Sequence, residues 1–197
     1  MRLVGRESEL RFLQGVLTDT QRGNTNAVLI SRESGIGKTA LLRVLSESID
    51  KSIFSEIRSH YSSGSAESRD SLYSLIATKY EHGEAQSEID GFDQVNHLID
   101  GSNSIAGTNG VASDAADFSR IRSILVSAAR SRAIVIVLDD FHHIDAGSLE
   151  LFSYLALTLS DVPVCVIAAF RPARAIPRVR KAKLYQGVRL SRLRLWR

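Results

Sequence analysis

Residues 27–42 read AVLISRESGIGKTALL: an apolar run, Ala27 to Ile30, closes at Ser31, gives way to a turn carrying Gly35 and Gly37, and resumes as an apolar stripe at Ala40-Leu41-Leu42. That pattern is a buried strand, Ala27 to Ser31, a glycine turn and the start of a helix over about Lys38 to Asp50. Lacking Cβ atoms, Gly35 and Gly37 let the backbone take positive φ and aim several N–H groups at one point, where the positive end of the following helix adds its field. Such a point attracts polyphosphate. Lys38 then reaches the β- and γ-phosphates as a point charge, and the Thr39 hydroxyl faces a Mg²⁺ that bridges the same oxygens.

Against the phosphate-cradling pattern G-x-x-x-x-G-K-[ST], the stretch departs at one place, where Arg32 holds the first glycine position. If the turn needs positive φ there, the substitution costs about 1–2 kcal/mol and weakens the cradle. Arg32 can instead add a phosphate contact.

Residues 133–140, AIVIVLDD, are the second informative stretch. A β-branched run of this kind is covered on both faces, and it delivers two carboxylates at its carboxyl end, where open α/β sheets place their ligands. In that arrangement Asp139 holds Mg²⁺, usually through water, and Asp140 orients or deprotonates the attacking water. The plainer alternative is a strand that ends in a turn with solvated acids. Phe141-His142-His143-Ile144-Asp145 follows. Adjacent histidines diverge in direction and no Cys or His at ligand spacing joins them, so a metal site is not expected there. Asp145 caps a helix over Ala146 to Ser160. Val162 to Phe170 is a further buried strand that ends on Arg171, fixed by Pro172. Arg171 either senses a γ-phosphate or is a solvated strand end.

Elsewhere the chain alternates helix and strand. Leu3 to Gly23 holds an amphipathic helix with Leu10, Leu13, Val16 and Leu17 at helical spacing and Gly23 as its stop. Ser52 to Ser59 reads as a less regular strand. Asp70 or Ser71 starts a helix carrying Leu72, Leu75, Ile76 and Tyr80, with Gly83 as its end. Residues 83–116 are rich in Gly, Ser, Asn and Asp and are expected to be a flexible insertion, with a short helix around Ile89 to Leu98 and a surface loop over Gly101 to Ala112. Asp117 to Arg130 is a further amphipathic helix, Ala173 to Lys183 a basic one, and Val188 to Leu190 a short last strand.

A chain of 197 residues, 44% hydrophobic and 24% charged, is large enough for one globular domain with a substantial core, which excludes disorder and fibres as overall classes. The longest apolar runs fall far short of the ~20 residues of a membrane span, and no basic-then-apolar leader opens the chain. A soluble, cytoplasmic protein without membrane contact is expected. One cysteine, Cys165, excludes an internal disulfide and lacks the His or Asn context of a nucleophile. The net charge of +3 is uneven: residues 171–197 hold ten Lys or Arg and no acid, so residues 1–170 carry −7. In the basic tail, 172–197, Arg192, Arg194 and Arg197 alternate with Leu193, Leu195 and Trp196. They either contact nucleic acid or form an exposed strand edge leading into a truncated part.

Taken together, these motifs resemble the AAA-type ATPase domain of the STAND class, and especially the amino-terminal ATPase modules of large LuxR-type transcriptional regulators. The matching pieces are Leu3-Val4-Gly5-Arg6-Glu7-Ser8-Glu9-Leu10, Ser34-Gly35-Ile36-Gly37-Lys38-Thr39-Ala40-Leu41-Leu42 (a Walker A), Val137-Leu138-Asp139-Asp140-Phe141-His142 (a Walker B), Asp145, and Ala169-Phe170-Arg171-Pro172, in the family's order. The resemblance implies a single three-layer α/β P-loop NTPase domain over 1–197, with a mainly parallel five-stranded sheet in which the Arg171 strand lies between the Walker strands; the family's helical lid is expected to be absent here, a departure from its pattern. It implies adenine packing near Val4, Gly5 and Arg6; ATP and Mg²⁺ as cofactors held by Ser34, Gly35, Ile36, Gly37, Lys38, Thr39 and Ala40 with Asp139; and Asp140, Lys38 and Arg171 in catalysis. Arg32, and His143 where the family usually has Trp, set this chain apart. The leading expectation is an ATP-binding, slowly hydrolysing switch with protein partners or self-association through further domains. A DNA-engaging ATPase resembling origin-recognition initiators and a non-hydrolysing nucleotide-binding interaction module are the alternatives.

Overall fold

The computed structural model describes residues 5–31, 37–61, 71–81, 110–171 and 189–194. In it, β1 (Asn26–Ser31) pairs in parallel with β4 (Val164–Phe170) on one side and β5 (Arg189–Arg194) on the other. Strand β3 (Ala133–Asp139) pairs in parallel with β4, and β2 (Phe54–His60) lies outside β3, so the sheet runs β2-β3-β4-β1-β5. Parallel neighbours need crossovers, and the helices provide them. Helix α2 (Lys38–Ser48) links β1 to β2, α5 (Ala146–Thr158) links β3 to β4, and α3 (Leu72–Glu81) and α4 (Gly110–Ala128) lie between β2 and β3. Helix α1 (Glu7–Gln21) precedes the sheet.

Strand alternation sorts the core into two layers, because successive side chains point to opposite faces. Ile134, Ile136 and Leu138 join Leu72, Ile76, Ile121, Leu125, Leu151 and Phe152 from α3, α4 and α5. Val135 and Val137 join Leu13 and Leu17 of α1 and Leu41, Leu42 and Leu45 of α2. All seven residues of β3 are buried, which is why that segment reads as an unbroken apolar run. The architecture is a three-layer α/β fold with the Arg171 strand between the two motif-bearing strands.

Local chemistry sets several boundaries. Gly23, at φ +100°, ends α1 with its N–H on the Thr20 carbonyl, a conformation open to glycine. The Ser71 hydroxyl accepts from Ser74 N–H at 3.1 Å and opens α3. Asp145 Oδ1 accepts from Ser148 N–H at 2.8 Å and opens α5.

Some boundaries differ from the sequence reading. Helix α4 starts at Gly110, not Asp117, so 110–116 are helical, and the expected surface loop does not extend over 110–112. The added turns, Gly-Val-Ala-Ser-Asp-Ala-Ala, have alanine's helix preference but too few large apolar residues for a visible stripe. Strand β2 runs to His60 instead of Ser59, and β5 runs to Arg194 instead of Leu190. Partnership with β1 extends β5 through a stretch whose mixed polarity shows no strand period. Helices α2 and α5 each stop two residues early, and β4 begins two residues late. Asp70, Gly83, the expected short helix around 89–98, the loop over 101–109, the basic helix over 173–183 and Trp196 lie outside the described residues.

Cys165 is fully buried on the α1/α2 face. Burial pushes its thiol up to about 12, against a smaller pull from a Thr20 hydrogen bond. Among the described residues no helix is long and apolar enough to cross a membrane.

Candidate functional site

Asp139 is the last residue of β3, and its parity matches Val135 and Val137, so its carboxylate points to the side that carries α2. There it meets the first turn of α2. The Thr39 hydroxyl donates to Asp139 Oδ2 at 2.7 Å across 100 residues of chain, and Asp139 Oδ1 accepts from Asp140 N–H at 2.9 Å. Only 2% of Asp139 is exposed, while Thr39 is exposed to solvent. Lys38, the first residue of α2, is 8% exposed, an uncommon setting for an ammonium. Gly37 precedes it in the left-handed region at φ +81°, as the residue that hands the turn to the helix. Ala40 is half-buried behind them.

Asp140 follows at φ +50°, one of two non-glycine residues with positive φ among those described. Strain of this kind, of order 1–3 kcal/mol, persists where neighbouring structure over-determines the backbone. Here the 3₁₀ turn Phe141–His143 does so. Phe141 is fully buried edge-on to Phe152, with ring centroids 5.2 Å apart, and His143 N–H donates to the Asp140 carbonyl at 2.9 Å. The Asp140 carboxylate thereby leaves the alternation of β3 and sits among three nitrogen-bearing side chains. Arg171 Nε lies 4.0 Å and His142 Nδ1 3.8 Å from Oδ1, and His60 Nε2 lies 4.0 Å from Oδ2. His60 Nδ1 also stands 3.7 Å from Asp139 Oδ2. The His142 ring is enclosed and packs on His143, with centroids 4.0 Å apart.

The structure therefore brings Thr39, Asp139, Asp140 and Arg171 together at the carboxyl edge of the sheet, with Lys38 beside Thr39. Gly5, at φ +75°, and Arg6 open α1, which shares its layer with α2. Arg6 is 9% exposed and donates from Nη1 to Glu9 Oε1 at 2.6 Å, so its charge is already matched. Burial raises the Glu9 carboxyl, but hydrogen bonds from Ser8 and Arg6 outweigh it and hold the group below its ordinary value. Val4, Arg32, Ser34, Gly35, Ile36 and Pro172 lie outside the described residues.

His60 has no counterpart in the sequence reading. Its place depends on the register His60↔Asp139 between β2 and β3, which no local pattern reveals. The only available signal was its position at the end of a candidate strand.

The Thr39 hydroxyl and the Asp139 carboxylate are hard oxygen donors in mutual contact, a donor set that suits Mg²⁺, which keeps several waters and takes few protein ligands. Among the described residues no cluster of three or more His, Cys, Asp or Glu could hold a metal by itself.

A family profile described as "AAA ATPase domain" matches residues 2–167. No curated protein sequence matches the chain. Among solved structures, the chain is similar to the Walker-type ATPase PABY2304 of Pyrococcus abyssi at 15% identity and TM-score 0.49, covering 98% of this chain and 54% of that one. It is similar to a chain of Drosophila ORC bound to DNA at 14% identity and TM-score 0.49, covering 99% and 44%. It is also similar to a chain of Drosophila ORC bound to poly(dA/dT) DNA and Cdc6 at 11% identity and TM-score 0.51, covering 96% and 28%. The chain thus spans about half, or less, of the length of these structures.

Proposed function

The chain belongs to the AAA ATPase domain family, and from that premise we propose that it is a switch module that binds ATP with Mg²⁺ and hydrolyses it slowly. The observation that carries this reading is the Thr39–Asp139 hydrogen bond, which joins the start of α2 to the end of β3 beside a buried Lys38. Phosphoryl transfer asks a protein for positioned charge and an aligned water more than for covalent chemistry. Lys38 and the N–H groups at the start of α2 would face the phosphate oxygens, and Thr39 with Asp139 would hold Mg²⁺. The ion, when bound, neutralises charge on the β- and γ-oxygens. Asp140 would orient the water, and Arg171 would contact the γ-phosphate. Val4, Gly5 and Arg6 would border the adenine, with Ser34, Gly35 and Ile36 completing the phosphate loop.

Arg32, in the place of the first glycine of the phosphate loop, argues for slow turnover. A switch needs differential affinity for two conformations, not speed. We place this switch in a signalling or transcriptional regulator of the STAND type, in the cytoplasm, with protein partners engaged through further domains. Binding of Mg-ATP to the wild type and to Lys38→Ala tests the nucleotide site: a loss of affinity of at least about tenfold, corresponding to ~1.4 kcal/mol, is expected, and equal affinity refutes it.

A second reading, a DNA-engaging ATPase, is favoured by β5, whose sequence RLSRLR puts Arg189, Arg192 and Arg194 along a sheet edge. Duplex binding with a steep salt dependence, lost on deleting Arg189 to Arg197, would support it. No binding at low salt would remove it.

A further inference from the structure

The three nitrogen-bearing neighbours of the Asp140 carboxylate differ in how firmly the fold holds them. The side chains of His60 and Arg171 are 60% and 38% exposed, so each gives up rotamer freedom to stay on the carboxylate, which erodes what the contact contributes. The His142 side chain is fully enclosed. Its ring sits in the 3₁₀ turn Phe141–His143, which is pinned at both ends, because Phe141 and Ile144 are buried and Ile144 N–H donates to the Phe141 carbonyl at 3.2 Å. The His143 ring, tilted by 41°, braces it from one side. Nδ1 of this fixed ring stands 3.8 Å from Asp140 Oδ1. Asp140 Oδ2 instead faces the His60 ring, which also faces Asp139 Oδ2, the oxygen that accepts the Thr39 hydroxyl. Oδ1 is therefore on the protein side of the carboxylate and Oδ2 on the side of Thr39 and Asp139. A ring nitrogen facing an ionised carboxylate carries its proton there, since two opposed lone pairs repel. The separation is longer than a hydrogen bond, as catalytic contacts often are before substrate tightens them.

Resting on the reading of Asp140 as the group that orients water, we propose that His142 is its positioning residue: Nδ1–H holds Asp140 Oδ1 from inside the fold and so directs Oδ2 at the water. The left-handed backbone of Asp140, at φ +50°, takes the carboxylate off the alternation of β3, but a backbone angle does not set the side-chain torsions. The enclosed imidazole sets them. With Oδ1 held, the carboxylate presents one oxygen, not two, toward the water. His142 is shut off from solvent, so it acts through Asp140 and not on the nucleotide.

In the nucleotide-free protein, long-range proton–nitrogen NMR, with the His142 signals assigned by their loss in His142→Asn, should show a proton on Nδ1. An Nδ1 without one would overturn the proposal. Turnover and Mg-ATP affinity are then measured for His142→Asn, whose amide nitrogen falls near the place of Nδ1, and for His142→Gln, whose amide nitrogen falls near that of Nε2. The Gln variant should lose about tenfold or more in kcat through a misdirected carboxylate, the Asn variant should stay within about threefold of the wild type, and both should bind Mg-ATP as the wild type does. Equal losses in the two variants, or losses that follow a fall in their urea midpoints, would reduce His142 to a packing residue. In an Asp140→Asn background, His142→Gln should have no further effect on kcat, and a second loss of the same size would place its action elsewhere. The underlying reading fails separately: a wild type that does not bind or turn over Mg-ATP, or Asp140→Asn turning over like the wild type, refutes the role of Asp140 and the inference with it.

Discussion

At the scale of single residues, the contrast between Asp140 and Asp161 is instructive. Both carry positive φ, +50° and +54°, yet only Asp140 has its carboxylate among cationic and imidazole groups. Asp161 lies in the turn before β4, away from the described site residues. Glycine at either position relieves the left-handed strain, so Asp161→Gly should stabilise the fold by up to about 1 kcal/mol with no change in nucleotide affinity. Asp140→Gly should stabilise it similarly while abolishing turnover. Urea midpoints and phosphate release check both. A second prediction concerns Glu9, whose folded carboxyl is held below its ordinary value. Its pairing with Arg6 contributes stability above the unfolded value, about 4.3, and that contribution is lost as pH falls through the lower folded value. Arg6→Ala should therefore be less stable than the wild type at pH 7, with the gap closing toward pH 3 in urea titrations. Both residues could be singled out by motif, and the i,i+3 spacing of Arg6 and Glu9 is itself a local pattern, but the positive φ of Asp140 is not written in one.

At the scale of elements, helix starts carry the site-side geometry. The Asp145 carboxylate caps α5, and Ser148, 2% exposed in the first turn of that helix, accepts the Leu72 N–H at 2.8 Å. One helix N-terminus thus satisfies an orphan donor of another, α3. Ser148→Ala leaves the Leu72 N–H buried without that acceptor and should cost about 1–3 kcal/mol. Asp145→Ala should cost about 1 kcal/mol. Because the two share the bonded Ser148 unit, their effects should fall short of additive in a double variant. The Asp145 cap was legible from Asp before a long apolar helix. The Ser148–Leu72 bond was not, since it joins residues 76 apart in sequence.

At the scale of the whole molecule, the order β2-β3-β4-β1-β5 buries β3, β4 and β1 between neighbours and leaves β2 and β5 as edges. Amide hydrogen exchange should be slowest in β3 and β4 and faster in β2 and β5, because edge strands open without breaking the central ladders. Uniform protection across all five would contradict this order. The amino-acid sequence by itself determined the fold class, the two motif strands, Gly37 at the entry to α2 and the helix that begins at Lys38. Each of these rests on short-range regularities: unbroken β-branched runs, glycines at fixed spacing, and apolar residues every three or four positions. Only the tertiary structure decided that Thr39 meets Asp139, that His60 stands beside both carboxylates, that β5 continues to Arg194, and that Arg171 faces Asp140. Those contacts depend on strand register and on which face of the sheet each helix covers. Such choices are made by packing between segments far apart in the chain, which local composition does not encode.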